Sequence, residues 1–151
     1  MDRSRLRVLG LDLGSKRIGV AISDSSALIA NAFSVIQRGR RPSVDHDAIA
    51  TIVREEEVDL VVVGLPLSMD GSRGPAAIAA LAECEVLATV LGVPVETTDE
   101  RLTTVAADSV LMQAGLGASA RRKVVDKVAA TVILQSWLDA RRERLRRGEL
   151  S

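Results

Sequence analysis

The chain has 151 residues, one cysteine, and a formal net charge of zero from 20 basic and 20 acidic side chains. A domain of this length buries about 70% of the surface its unfolded chain exposes, so it needs no disulfide or structural metal to fold. A lone cysteine excludes an intramolecular bridge and suits a reducing, cytoplasmic setting.

Hydrophobic residues make up 47% of the chain, yet the aromatics are only Phe33 and Trp137. That predicts an aliphatic core of the kind found where helices cover a parallel sheet. It also argues against the stacked-aromatic platforms of general single-strand binders. No apolar run approaches the about 20 residues of a membrane span. The polar, basic residues 1–7 have no apolar segment behind them, so no signal peptide is expected.

Residues 6–13 read as a short apolar strand with Asp12 near its end. Gly14, Ser15 and Lys16 form a turn, and residues 17–23 read as a second strand, so the chain opens on a hairpin. A third strand over 30–37 and a polar loop over 38–43 follow. Ser43 is the expected N-cap of a helix through Glu57, with Ile49, Ile52 and Val53 at helical spacing. The β-branched run over 60–64 reads as a strand buried on both faces. A loop over 64–68 and a turn at Asp70, Gly71 and Ser72 lead to an alanine-rich helix over 75–91, with Pro75 in its first turn. Residues 93–97 read as a fifth strand and 102–114 as a helix. Residues 115–119 break that helix, and 121–146 form the last one. This order predicts a single α/β domain spanning 1–151. Its sheet has five strands and is mixed, with the second strand antiparallel to the rest, and helices flank it. Polar sites in such sheets lie at the carboxyl ends of the parallel strands.

The neutral total hides segregation. Asp45, Asp47, Glu55, Glu56, Glu57 and Asp59 face only Arg54 in their segment. Arg121, Arg122, Lys123 and Lys127 surround Asp126, and Arg141, Arg142, Arg144, Arg146 and Arg147 load the C-terminus. Local basic patches of this kind admit a polyanionic partner. For the terminal arginines a solvated helix end is an equal reading.

Three acids stand out. Asp12 lies between Leu11 and Leu13 in an apolar strand, where an unpartnered carboxylate is expensive and a divalent cation relieves the cost. A hydrogen bond to the Gly14–Ser15 backbone is the alternative. Asp99 and Glu100 follow the fifth strand, and if that strand lies beside the first, Glu100 reaches the Asp12 cleft. The alternative there is an acid pair favoured by the dipole of the next helix. Asp126 shares a helix face with Ala129, Ala130, Ile133, Leu134 and Trp137, all apolar, so the face points inward. A core carboxylate satisfied by Arg101 or Lys127 is the alternative. Hard oxygen ligands suit Mg²⁺ or Mn²⁺, and His46, the only histidine, cannot build a zinc cluster. Asp24, Asp70 and Asp99 are reserve acids for a fourth ligand.

Four stretches resemble the YqgF/RuvX family of pre-16S rRNA nucleases and Holliday junction resolvase-like proteins. They are Gly10-Leu11-Asp12-Leu13-Gly14-Ser15-Lys16-Arg17-Ile18-Gly19-Val20-Ala21, Val63-Gly64-Leu65-Pro66-Leu67-Ser68-Met69-Asp70-Gly71, Asp99-Glu100-Arg101-Leu102-Thr103-Thr104, and Val125-Asp126-Lys127-Val128-Ala129-Ala130 running on to Ile133-Leu134-Gln135. Each is weak alone, but together, in this order, they are specific. The resemblance covers about residues 6–140 and leaves the basic C-terminal tail outside.

The resemblance implies an RNase H-like fold and a catalytic, metal-binding set matching Asp12, Glu100 and Asp126. It implies a hydrolase of phosphodiester bonds, an endonuclease that matures the 5′ end of the small-subunit rRNA precursor. Lys16, Arg17, Arg101, Arg121, Arg122, Lys123 and Lys127 are the expected substrate contacts. Nucleic acid is the expected partner, together with ribosomal particles, for a monomer or weak dimer. Four-way DNA is the competing substrate, since the same acids would serve. A non-catalytic RNA- or ribosome-binding factor is disfavoured by the intact acidic set. An actin-like ATPase or sugar kinase is disfavoured by length and by the missing upstream glycine of a Walker loop.

Overall fold

The computed structural model describes residues 5–66, 70–99 and 118–148, with side chains in the last segment described from Lys127 onward. Five strands and three helices are defined: β1 (Val8–Leu13), β2 (Arg17–Ser23), β3 (Ala30–Gln37), α1 (Pro42–Glu55), β4 (Leu60–Leu65), α2 (Pro75–Val90), β5 (Val95–Asp99) and α3 (Ala118–Arg146). The helix expected over 102–114 falls outside the described residues.

The sheet order is β3-β2-β1-β4-β5. β2 is antiparallel to both β1 and β3, whereas β4 is parallel to β1 and β5 is parallel to β4. The expected mixed sheet with one reversed strand is therefore present. Strand alternation sorts the core into two layers. Leu9, Leu11, Ile18, Val20, Val61 and Val63 face one way and pack with Ile49 and Val53 of α1 and Leu87 of α2. Val8, Ala21, Leu60 and Val62 face the other way, against Ala130, Ile133, Leu134 and Trp137 of α3. The central strands are apolar on both sides because both faces are covered. Cys84 packs in the first layer, where burial and then the charge of Glu83 push its thiol up to about 11.

Several boundaries differ from the sequence reading, each for a local reason. α1 starts at Pro42 with Arg41 as N-cap, and no side chain caps it. Ser43 is thus inside the helix, and the proline takes the first position, where its missing N–H costs nothing. α1 ends at Glu55 rather than Glu57, whose φ of 53° breaks the helix. β5 is shifted by two residues, to Val95–Asp99, so Asp99 closes the strand rather than following it. The shift reflects Pro94, whose carbonyl accepts from Val61 N at 3.0 Å but which has no N–H for the ladder. α3 begins at Ala118, so residues 118–119 lie in the helix rather than in the expected break.

The end of the acidic segment is paired with residues just before β1. Arg5 reaches Asp59 at 3.4 Å and Arg7 reaches Glu56 at 3.7 Å, while Arg7 N donates to Asp59 at 2.9 Å. At the C-terminus Arg142 pairs with Asp139 at 2.9 Å and Arg146 pairs with Glu143, so these two arginines decorate a solvated helix.

Candidate active site

Asp12 is the fifth residue of β1 and half-buried, opposite Gly19 of β2. Its strand position alternates with Val8 and Gly10, which places it on the α3 side of the sheet. Gly14 closes the following turn, its N–H donating to Arg17 O at 2.9 Å and lying 3.1 Å from Asp12 O. A Cβ on Gly14 would meet Arg17 O at 2.5 Å, so only glycine allows this tight return. Arg17, the first residue of β2, alternates with Gly19 and Ala21 onto the α3 side, at the same end of the sheet as Asp12. Lys16 is exposed at the turn.

α3 lies unusually close to β1. A Cβ on Gly10 would fall 2.7 Å from Leu134 Cβ and 3.2 Å from Ala130 O. Farther along the helix, Trp137, Arg141 and Arg144 share a pocket with Leu6 and Leu60 at the amino ends of β1 and β4. Helix and strand therefore run in opposite directions. Going from Gly10 to Asp12 advances about 7 Å along the strand. Going from Ala130 back to position 126 advances about 6 Å along the helix, in the same direction. Lys127 is exposed. The side chains of Arg121, Arg122, Lys123 and Asp126, and all of Glu100 and Arg101, lie outside the described residues.

The condition set for Glu100, that the fifth strand lie beside the first, is not met. β4 separates β1 from β5, which puts their backbones about 10 Å apart. Their carboxyl ends still share one edge, since Leu11 pairs with Val63 and Leu65 with Asp99. Asp99 alternates with Val95 and Thr97, and Val95 packs on the α1/α2 layer, the face opposite Asp12.

Two other reserve acids have local work. Asp24 sits about five residues, or about 17 Å, from Asp12 along the β1–β2 ladder, at the opposite edge. It accepts from Leu28 N at 2.8 Å and Ile29 N at 3.1 Å. Burial raises its carboxyl, but these N–H donors outweigh that and hold it below the usual value. Asp70 accepts from Ser72 N at 2.9 Å in an exposed turn.

Among the described residues no group of three His, Cys, Asp or Glu side chains could hold a metal. That set contains only Asp12 of the three expected ligands. The sequence reading missed Arg38, whose Nε donates to Gly14 O at 2.8 Å, two residues beyond Asp12. Among the described residues, no helix is long and apolar enough to cross a membrane.

Comparison with known proteins decides the family. The family model described as RuvX, Holliday junction resolvase, matches residues 6–140. The chain belongs to the RuvX family. Membership in this family of metal-dependent nucleases makes the chain a hydrolase that acts on nucleic acid. A relative from Myxococcus xanthus named "Putative pre-16S rRNA nuclease" is 51% identical over 139 residues, covering 91% of this chain and 90% of that protein. A relative of the same name from Pelotomaculum thermopropionicum is 46% identical over 135 residues, covering 89% and 88%. Among solved structures, Thermus thermophilus RuvC in complex with a Holliday junction substrate superposes with a TM-score of 0.57 at 19% identity, covering 90% of this chain and 95% of that one. At that identity the likeness speaks for the RNase H-like fold of RuvX alone.

Proposed function

We propose that this RuvX-family chain is a cytoplasmic endonuclease that hydrolyses the 16S rRNA precursor to mature its 5′ end, with Asp12, Glu100 and Asp126 as its metal ligands. The carrying observation is the antiparallel crossing of α3 over Gly10. Advances of about 6 and 7 Å in the same direction from that crossing support positions 126 and 12 as neighbours at the carboxyl edge of the sheet. Helical periodicity supports the same placement, since position 126 is three and four residues before the buried Ala129 and Ala130.

The donor set fits Mg²⁺ or Mn²⁺, because it is all carboxylate, and Asp12 stands half-buried near the carboxyl end of β1. Such an ion would supply an attacking water of lowered pKa and a counter-charge for the leaving 3′ oxygen. The chain's own part is to hold Asp12 rigidly on a strand and to offer Arg17 and Lys16 to the phosphodiester. Arg101, and Arg121, Arg122, Lys123 and Lys127 from the sequence of the first turns of α3, are the further phosphate contacts of this reading. The names of the relatives point to precursor rRNA, and so to ribosomal particles, as the setting. The protein acts as a monomer or weak dimer.

Four-way DNA is the second reading, favoured by the description of the family and by the RuvC-like fold. Incubating the protein with labelled precursor rRNA, a four-way DNA junction and single-stranded RNA, each with Mg²⁺, Mn²⁺ or EDTA, separates the readings. Metal-dependent cleavage at the 5′ boundary of 16S rRNA is expected. Cleavage of the junction alone, or of none of the three, would overturn the proposal.

A further inference from the structure

Beside the β1–β2 turn lies a charged cluster outside the proposed active site. Arg38 follows β3, Asp45 and His46 stand in the first turns of α1, and Glu83 is at the middle of α2. Arg38 Nη1 and Nη2 donate to the two Glu83 oxygens at 2.8 and 2.9 Å. This bidentate form fixes orientation as well as distance. His46 Nε2 lies 2.8 Å from Glu83 Oε2. Asp45 accepts from Gly39 N at 2.7 Å and its other oxygen is 3.5 Å from Arg38 Nη1. The Asp45 and His46 side chains are only 3% and 5% exposed.

Stability alone is a poor reason for such a cluster, since apolar groups of the same volume often serve a core as well. What apolar groups cannot do is aim a donor. The remaining Arg38 Nε donates to Gly14 O at 2.8 Å, and Arg38 N donates to Lys16 O at 3.0 Å. Both bonds end on the turn between Asp12 and Arg17. The guanidinium is therefore held by α1 and α2 on one side and grips the β1–β2 turn on the other.

We propose that Arg38 is a positioning residue: braced by Glu83, it sets the turn that places Asp12 for metal and Arg17 for phosphate. The inference rests on the reading of Asp12 as a metal ligand. A lysine at position 38 keeps the charge but cannot span Glu83 and Gly14 O together, because an ammonium lacks the planar fork.

The test is the Mg²⁺-induced rise in melting temperature, which reads metal binding without reference to turnover. Arg38→Lys is expected to fold and to need about tenfold more Mg²⁺ for half of the rise, the scale seen when a group supporting a metal ligand is lost. Glu83→Gln should shift the half-saturation in the same direction by less, and adding it to Arg38→Lys should change little further. If Arg38→Lys does not fold, Glu83→Gln carries the test. Parental half-saturation in the folded variants, with only a lower melting temperature in the absence of metal, would overturn the inference and leave Arg38 a plain structural tie. Asp12→Asn is the control. If it keeps the parental Mg²⁺ response, the active-site reading itself fails; if it loses the response while Arg38→Lys keeps it, only the positioning role fails.

Discussion

Gly10 of β1 and Leu134 of α3 approach so closely that a Cβ on the glycine would sit 2.7 Å from the Leu134 Cβ. Neither atom is the free end of a flexible side chain, and the Ala130 carbonyl closes the other side at 3.2 Å. Gly10→Ala must therefore push α3 off the sheet or bend β1. Overpacking of this kind costs about 1–3 kcal/mol. In the proposed site the same contact governs how position 126 meets Asp12, so cleavage should fall by more than the lost folded fraction explains. Denaturant melts and cleavage rates on the same samples check this. An unchanged melt and unchanged rate would show that the helix–strand spacing is not critical.

The sheet was legible because β1, β2 and β4 are near-continuous apolar runs, the mark of strands covered on both faces. β5 was harder: Glu96, Thr97 and Asp99 are exposed on an edge strand, so their polarity disguised its register. The strand order was beyond the sequence too, since nothing local says that β4 inserts between β1 and β5. Of the candidate site, Asp12 and the inward face of α3 could be read from flanking apolar residues. The Arg38 cluster could not, because Arg38 and Glu83 are 45 positions apart and each looks like a surface charge. A partial signal did exist. Asp45 and His46 lie four residues before the buried Ile49 and Ala50, and Glu83 four before the buried Leu87, which puts all three on inward helix faces.

The Glu83 carboxyl gives a pH signature. The Arg38 hydrogen bonds hold it below its ordinary value of 4.5, burial opposes them, and the His46 contact assists them. A carboxyl depressed in the folded state adds stability above its unfolded pKa, and that stability is lost as pH falls through the folded value. The parent should therefore lose melting temperature below about pH 4.5 more steeply than Glu83→Gln does. Near neutral pH the variant should be less stable by about 2 kcal/mol, the scale of hydrogen bonds to a charged group. Parallel acid limbs for the two proteins would contradict the depressed Glu83.

Asp24 offers the contrast with Asp12. Its carboxylate organises the β2–β3 turn through Leu28 N and Ile29 N, at the edge of the sheet away from Asp12. Asp24→Ala should destabilise the fold by about 1–3 kcal/mol through the unsatisfied amides. Its cleavage rate per folded molecule and its Mg²⁺ requirement should match the parent. A raised Mg²⁺ requirement in this variant would return Asp24 to the list of metal ligands.

In the proposed reaction Asp12 holds the metal that breaks the phosphodiester, while basic side chains hold the substrate. This division of labour is checked by single-turnover cleavage of saturating, end-labelled 16S rRNA precursor by Asp12→Asn, with binding measured on the same RNA. The amide preserves size but cannot supply a charged ligand, so the expected rate loss is at least about a hundredfold, beyond that of a supporting residue. Binding affinity should stay close to that of the parent, because phosphate contacts to cations set it. Cleavage by Asp12→Asn within about tenfold of the parental rate, a barrier change of only about 1.4 kcal/mol, would remove Asp12 from the metal site.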